Sequence, residues 1–282
     1  MATTLSDIKR RIGTTTQIRK VTATLQKVAA AKLAQDLRRI SNANTYFNSI
    51  CRMLSCAHDA MPAEAPPNPL MTPQDGDTIA LIVFGSDRGL CGAFNTLLMN
   101  AIRDFIKTHS DKRIRILFRG KVAYRRALRH QIPDIEQVEE TEAIANRVLE
   151  DFENQRVCEV YTLYWDYITG MDQKVVSEQI LPTPFTAQKT PPVAGAAHYD
   201  AALIEPSPQA LLNALLPEYI RCSIHNGFYN SAVTENAQRR TSMARATENA
   251  SEMLVELKKT YSRLRQENIT TEMLEILAGL TR

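Results

Sequence analysis

Apolar residues recur every three or four positions over the first 57 residues, which predicts one long α-helix from about Ser6 to Ala57. Alternating steps of three and four place these residues in one narrow stripe, the pattern of a helix that pairs in a two-stranded coiled coil. Ser6 is the expected N-cap. The stripe comprises Leu5, Ile8, Ile12, Ile18, Val21, Leu25, Val28, Leu33, Leu37, Ile40, Ala43, Phe47, Ile50, Leu54 and Ala57.

The C-terminal part of the chain has the same periodicity. Ser207 and Pro208 are the expected N-cap and first helical residue, and Pro217 is expected to kink or restart the helix. Because neither stripe can be buried alone, we expect the two terminal helices to pair as an antiparallel coiled coil. The second stripe comprises Met243, Ala246, Ala250, Leu254, Leu257, Tyr261 and Leu264 and, after a slip of one residue, Ile269, Met273, Ile276 and Leu280.

The middle of the chain alternates between strand and helix patterns. Helices are predicted at about 93–107, 121–130 and 141–154, and the last two strands are predicted to form a hairpin through Thr169 and Gly170. The predicted fold class is therefore α/β: a central Rossmann-like open sheet domain, joined to the long antiparallel two-helix coiled coil of the terminal helices. The predicted strands are Thr78–Phe84, Ile114–Phe118, Cys158–Trp165 and Lys174–Leu181.

Proline marks the boundaries between these parts. Of the 13 prolines, five fall within residues 61–73 and four within 181–193. Since proline costs a helix interior about 3 kcal/mol, the proline clusters indicate linkers and the proline-free ends permit long helices. We therefore expect an N-terminal coiled-coil helix over 1–60, a central α/β domain over 74–190, and a C-terminal coiled-coil helix over 205–282.

The distribution of charge, the cysteines and the apolar runs limit the classes of function that this chain can have. Residues 1–58 carry ten Lys or Arg side chains and two acids, a net charge of +8. This is either a solvated helix face or a surface that meets an acidic partner. The five cysteines include no C-x-x-C pair, which is typical of reduced thiols. No run approaches the roughly 18 apolar residues of a membrane span, so none is expected.

The segment Gly85–Asn95 follows a strand and opens a helix, where phosphate-binding loops lie. Its glycines, at 85, 89 and 92, do not match G-x-G-x-x-G, and no Lys-Ser/Thr pair follows the last of them. A tight turn with glycine at positive φ is therefore favoured, and a nucleotide- or phosphate-binding α/β protein is the alternative. We expect no catalytic residues, no metal site and no cofactor.

Several segments together resemble the gamma subunit of the F-type (rotary) ATP synthase, in the right order from residue 8 to 279. The most specific match is Ser86–Asn95 (SDRGLCGAFN), which contains the family-motif residues Asp87, Arg88, Gly89 and Gly92. The chain departs from the family pattern at Thr24, Leu25 and Lys27, in place of a methionine-rich seam, and at Leu280, in place of alanine. The other matching segments are Ile8–Ile12, Val28–Leu33, Glu205–Pro217, Arg239–Ala250 and Tyr261–Gly279.

This resemblance implies a non-catalytic rotor subunit. Its coiled coil would turn inside a ring of alpha and beta subunits, and its α/β domain would rest on the membrane c-subunit ring beside the epsilon subunit. Transmembrane proton or sodium flow would thereby be coupled to ATP synthesis or hydrolysis, on the cytoplasmic face of a bacterial plasma membrane. By family position, Arg239, Arg265, Gln266 and Thr270 would hydrogen-bond to beta-subunit loops; the alternative is that they are solvated side chains.

A third interpretation takes the basic N-terminal helix as part of a coiled-coil scaffold that binds nucleic acid. Binding of that kind would depend steeply on salt. The Lys/Arg helix lacks the interleaved aromatic residues that single-stranded nucleic acids stack on, which counts against this interpretation.

Overall fold

The computed structural model describes residues 4–62, 66, 68–168, 172–183 and 204–280, and of 277–280 the backbone only. The chain divides into two compact units: a first unit of Met1–Ala31 with Gln238–Arg282, and a second unit of Lys32–Ala237. Helix α1 (Leu5–Asp59) and helix α5 (Pro208–Leu280) each contribute residues to both units. The two predicted terminal helices are therefore confirmed.

The ends of these helices confirm one predicted cap and correct another. Helix α5 begins at Pro208, and the Ser207 hydroxyl accepts a hydrogen bond from the Ala210 N–H at 3.2 Å, as expected. Helix α1 begins at Leu5, two residues earlier than a Ser6 cap requires, and the Thr4 hydroxyl accepts the Asp7 N–H at 3.2 Å. The prediction of Ser6 as N-cap is therefore wrong.

Pro217 lies inside α5 and does not restart the helix. Proline removes one backbone hydrogen bond, but the residues on either side of it are fixed by burial. Leu212, Leu216, Ile220 and Ile224 are between 0% and 2% exposed and form one face of α5. Packing of this face outweighs the local cost of the proline, so the predicted restart is wrong, and the alternative of a kink stays a prediction.

In the first unit, α1 and α5 run antiparallel. The Thr22 and Thr247 hydroxyls are 2.8 Å apart, and the Thr15 hydroxyl lies 3.9 Å from the sulfur of Met253. Moving along α1 by seven residues thus moves the contact along α5 by six in the opposite direction. Buried apolar residues line the seam of this coiled coil: Ile8 and Ala29 from α1, and Met243, Ala250 and Leu254 from α5.

The seam on α1 differs from the predicted stripe between residues 15 and 29. Ile8, Thr15, Thr22 and Ala29 recur every seven residues and are buried or half-buried. Ile18, Val21 and Val28, which the stripe included, are 49%, 56% and 45% exposed. An unbroken heptad pattern keeps the same face against α5, and it therefore overrides the preference to bury the most apolar side chains.

The seam on α5 ends earlier than the sequence pattern suggests. Ile269, Met273 and Ile276 are 45%, 63% and 64% exposed, so their predicted burial in the seam is wrong. The register of the threonine contacts places Leu5, the first residue of α1, opposite about residue 263 of α5. Residues beyond this point have no part of α1 opposite them. The side chain of Leu280 lies outside the described residues.

The second unit contains a five-stranded sheet in the order β3-β2-β1-β4-β5. Strand β1 pairs in parallel with β2 and β4, and β2 pairs in parallel with β3. Strand β5 pairs antiparallel with β4, as predicted for the hairpin. The hairpin turn at Thr169 and Gly170 lies outside the described residues. The strands are β1 (Thr78–Phe84), β2 (Arg113–Arg119), β3 (Ile135–Gln137), β4 (Glu159–Tyr167) and β5 (Gln173–Leu181).

Helices cover both faces of this sheet, and β1 is therefore apolar at consecutive positions and not only at alternate ones. Ala80, Ile82 and Phe84 face a core built with α1, α4 (Thr141–Glu153) and α5. The alternate residues of β1 face a second core built with α2 (Phe94–Thr108) and α3 (Lys121–Arg129). A 3-10 helix (Pro69–Met71) packs Leu70 against the first core. Within the part of the chain that the structure describes, no helix is long and apolar enough to cross a membrane.

Strand β3 was not predicted, and a charge network accompanies it. Arg115 of β2 lies 3.2 Å from both Glu136 of β3 and Asp151 of α4, and Arg147 also contacts Glu136. Burial alone would raise the pKa of Glu136, but the hydrogen bonds from Arg147 and Arg115 outweigh it and leave that pKa below its ordinary value of 4.5. The ion pairs thus help to hold this three-residue edge strand.

The depressed pKa of Glu136 predicts a pH dependence of stability. A carboxylate whose pKa is lower in the folded state stabilises that state above the unfolded pKa, and this contribution is lost as pH falls through the folded value. We expect Glu136→Gln to lower stability at pH 7 and to reduce the loss of stability that occurs as the pH falls from about 5 to about 3. The free energy of unfolding in urea, measured at about pH 7, pH 5 and pH 3, tests this. The control is Glu153→Gln, at an exposed carboxylate without an ion pair among the described residues; an equal pH dependence in both variants would contradict the prediction.

Candidate functional site

The loop between β1 and α2 contains the family-motif residues and is tied together by buried polar groups. The Asn95 amide donates to the Ser86 hydroxyl at 2.6 Å and to the Cys91 sulfur at 3.5 Å. The Ser86 N–H donates in turn to the side-chain oxygen Oδ1 of Asn95 at 3.4 Å. Ser86, Cys91 and Asn95 are at most 3% exposed. The loop is therefore a rigid turn, and Asn95 is a residue whose structural role the sequence interpretation missed.

Asp87 links this loop to the neighbouring strand and helix. Its carboxylate forms an ion pair with Arg119 at the end of β2, and it accepts the Lys121 N–H at 3.2 Å. The Arg119 guanidinium also lies 4.7 Å from the centre of the Phe228 ring on α5. Asp87 therefore caps the N-terminus of α3 and connects three elements of the second unit.

Two glycines allow the backbones of this region to approach closely. A Cβ on Gly85 would lie 2.0 Å from the Cβ of Ala123 on α3. Gly120 has a φ of +128°, and a Cβ there would lie 2.5 Å from the carbonyl oxygen of Gly85. Of the three loop glycines, Gly92 has the expected positive φ, at +60°, whereas Gly85 and Gly89 do not, and Leu90 has a φ of +62°. Arg88 and Gly89 lie exposed at the outer end of the loop.

The geometry of the loop argues against phosphate binding. At the start of α2, the helix that this loop opens, the Phe94 and Thr96 N–H groups already donate to the Cys91 and Ala93 carbonyl oxygens, and the nearby N-terminus of α3 holds the Asp87 carboxylate. The adjacent cleft also contains Glu139, which pairs with Lys121 at 2.9 Å. Arg88, Arg119 and Lys121 also line the cleft, but Arg119 and Lys121 are already paired with Asp87 and Glu139, so a phosphate would have to displace a carboxylate to reach them. Among the described residues there is also no cluster of His, Cys, Asp and Glu able to hold a metal ion.

The four predicted partner-contact residues lie in the first unit, in two separate places on α5. Arg265, Gln266 and Thr270 are exposed and lie within about 8 Å along the helix axis. The Thr270 hydroxyl donates to the Gln266 carbonyl oxygen at 2.9 Å, so its oxygen remains able to accept from a partner. Arg239 is half-buried and about 39 Å away along the axis, so the helix does not bring it to the other three.

An apolar stripe accompanies the three exposed residues, and the sequence interpretation missed its exposure. Ile269, Met273 and Ile276 follow steps of four and three along α5, so they share one face. Leu274 beside them is 61% exposed. An exposed stripe of this kind indicates a surface that another protein covers. After Leu264 the next apolar residue of the stripe, Ile269, comes five residues later and not three or four. This break in the spacing was the sequence signal that burial against α1 ends there.

Comparison with known proteins gives consistent results. A family model described as ATP synthase matches residues 4–281. The ATP synthase gamma chain of Solibacter usitatus (strain Ellin6076) is 32% identical over 289 residues, which cover 98% of this chain and 97% of the relative. The gamma chain of Glaesserella parasuis serovar 5 (strain SH0165) is 28% identical over 284 residues, with 97% of each chain covered.

Solved structures show the same fold. A chain of the Euglena gracilis mitochondrial ATP synthase (OSCP/F1/c-ring, rotational state 3) superimposes with a TM-score of 0.65 at 16% identity, and the match covers 98% of this chain and 93% of that one. A chain from the central stalk and c-ring of the Tetrahymena thermophila mitochondrial ATP synthase gives a TM-score of 0.55 at 20% identity, covering 80% and 99%.

Proposed function

This chain belongs to the ATP synthase gamma-chain family, and from that premise we propose that it couples ion flow to ATP synthesis or hydrolysis by turning inside a ring of alpha and beta subunits. It is a non-catalytic stalk subunit of the ATP synthase complex. The observation that carries the proposal is the antiparallel seam of the first unit, together with the exposed apolar stripe beyond its end. A helix pair joined along its length transmits torque, and an exposed stripe at its end requires surrounding protein.

The proposal assigns a different partner to each part of the chain. The first unit lies within the alpha and beta subunits, and the second unit contacts the epsilon subunit and the membrane c-subunit ring. The exposed bases of α1 in the first unit, such as Lys9, Arg11, Lys20 and Lys27, suit acidic loops on the beta subunits. The chain then works as a peripheral subunit on the cytoplasmic face of a bacterial plasma membrane.

Within this proposal, Arg265, Gln266 and Thr270 form a catch that hydrogen-bonds to beta-subunit loops, and Arg239 makes a second contact. Three exposed polar side chains within one and a half turns can engage the same loop at once. Contacts of this kind that form in only one rotary position would hold the rotor until the beta subunit changes state. The motif residues Asp87, Arg88, Gly89 and Gly92 have a structural role here, shaping the turn of the second unit.

Mixing the isolated chain with purified alpha and beta subunits tests the function. We expect no ATPase activity from the chain alone, and ATPase activity from the mixture well above that of alpha and beta alone. Failure of the chain to enter the assembly, or entry without any change in ATPase activity, would contradict the proposal.

The catch is tested in the same assembly by a triple variant, Arg265→Ala with Gln266→Ala and Thr270→Ala. We expect about a tenfold loss of ATPase activity, because a few central polar contacts carry most of the energy of an interface. The matched control is Lys259→Ala, at another exposed residue of the same helix without an ion pair among the described residues. Equal activity of the triple variant and the control would mean that these three residues are only solvated.

A further inference from the structure

Helix α3 presents a basic outer face that neither the family motif nor the proposed catch uses. Lys121, Arg125 and Arg129 lie four residues apart and are exposed, and Leu128 beside them is 50% exposed. The opposite face, with Ala127 fully buried, packs on the sheet. The helix contains no acidic residue. Lys121, Arg125, Leu128 and Arg129 together form this surface, the α3 face.

The acids near the α3 face are already paired, two of them with bases outside the face and one with Lys121 of the face itself. Neither Arg125 nor Arg129 forms an ion pair with a carboxylate among the residues that the structure describes, so the positive charge of the face is not neutralised within that part of the chain. The engaged pairs are Asp87 with Arg119, Asp134 with Arg113 at 3.2 Å, and Glu139 with Lys121 at 2.9 Å.

The neighbouring helix α2 extends the surface with another apolar side chain. The Arg126 guanidinium donates to the Thr96 hydroxyl at 2.7 Å, which joins α3 to α2 at this position. Leu97 follows Thr96 and is 46% exposed. An exposed leucine on each helix, together with two arginines that have no carboxylate partner among the described residues, is a composition that suits a protein partner, because it offers both charge and apolar contact.

We propose that the α3 face binds an acidic, amphipathic helical segment of another protein chain. Bases at four-residue steps repeat every 6 Å or so along α3, which is the spacing of carboxylates at four-residue steps on a facing helix. Arginine binds a carboxylate through two parallel hydrogen bonds, and Leu97 and Leu128 supply contacts for the apolar side of the segment. This surface goes beyond the proposed rotor function, whose catch lies in the other unit.

The dimensions of the face favour a protein over a membrane or a nucleic acid. Helix α3 has nine residues and one large exposed apolar side chain, too little apolar surface to hold a helix in a bilayer interface. Its one aromatic residue, Tyr124, is half-buried and packs against Phe118, so the outer face of α3 offers no stacking platform for bases.

Zero-length cross-linking in native membranes tests the proposal. The variants Arg125→Lys and Arg129→Lys keep the charge and place a primary amine on the face, and a water-soluble carbodiimide joins an amine to a carboxylate only when the two touch. Cells should carry each variant as their single copy of the chain, and mass spectrometry identifies the linked peptides. The Lys121–Glu139 pair provides an internal control for the reaction, and Arg52→Lys, at an exposed site on α1, provides the matched control.

We expect the amine introduced at position 125 or 129 to be linked to an Asp or Glu of another chain, several-fold more often than the amine introduced at position 52. The proposal is overturned if the Lys121–Glu139 link forms while positions 125 and 129 are linked to no other chain. It is also overturned if the purified full chain floats with phosphatidylglycerol vesicles and R125E/R129E abolishes flotation, since the face would then bind a membrane. The ATPase assay with alpha and beta subunits is independent of either result.

Discussion

Replacing Leu254 by aspartate is expected to separate the two helices of the first unit. Leu254 is 6% exposed in the seam, so Leu254→Asp would bury an unpaired charge at a cost of about 4 kcal/mol. Helix α1 should then lose protection from amide hydrogen exchange over residues 8–29, as measured by mass spectrometry. Loss of α5 packing should also prevent ATPase activity with alpha and beta subunits.

The neighbouring residue provides the control. Val255 is 54% exposed, so Val255→Asp introduces the same charge one residue away but leaves it in water. We expect this variant to keep hydrogen-exchange protection within about 0.5 kcal/mol of the unmodified chain. If both variants lose protection equally, the seam has been assigned to the wrong face of α5.

The second large effect is expected at Gly85, where any side chain collides with α3. In Gly85→Ala the new Cβ would lie 2.0 Å from the Cβ of Ala123, a separation that requires the strand end or the helix to move. Overpacking of this kind costs about 3 kcal/mol, and we expect a corresponding fall in the free energy of unfolding of the second unit, measured with urea.

Two further variants identify the cause. Ala123→Gly removes the opposing Cβ, so the double variant Gly85→Ala/Ala123→Gly should recover most of the loss, less about 1 kcal/mol for glycine in a helix. Gly89→Ala lies in the same loop, and a Cβ there would meet nothing within 4 Å, so it should be nearly neutral. Lack of rescue by Ala123→Gly would rule out this contact as the reason for glycine at position 85.

Much of the fold follows from local patterns, because periodicity and burial agree over most of the chain. The apolar run Thr78–Phe84 is a central strand since helices cover both of its faces, and the helix predicted at about 141–154 is found at Thr141–Glu153. Strand β3 has three half-buried residues, too few for a detectable alternation. Its place depends on pairing with β2 and on ion pairs between residues distant in sequence.

The seam was harder to predict because hydrophobicity and register disagree. Thr15 and Thr22 occupy seam positions, whereas Ile18 and Val21 are more apolar and lie outside it. A single sequence favours the more apolar set, and the choice is made by the register with α5, which is information from another part of the chain. The same register explains why Ile269 and Met273 are exposed.

For the residues of the proposed catch, the sequence predicts their exposure but not their role. Their exposure on α5 is what a solvated helix face and a partner contact both require, so neither the sequence nor the fold distinguishes the two. Their assignment rests on family resemblance and on the adjoining exposed stripe. The Gly85–Asn95 turn is better determined, because wrong glycine spacing in the sequence and the Asp87 carboxylate at the α3 N-terminus both argue against a phosphate site.

Direct observation of rotation tests the central claim. Alpha and beta subunits are fixed to a surface with the chain assembled between them, and a bead is attached at Lys107→Cys, an exposed position on α2, after replacement of the five native cysteines. On addition of ATP, the bead should turn continuously in one direction, and Leu254→Asp should abolish the motion. An assembly that hydrolyses ATP at its full rate while the bead stays still would contradict the claim that this chain is the turning element.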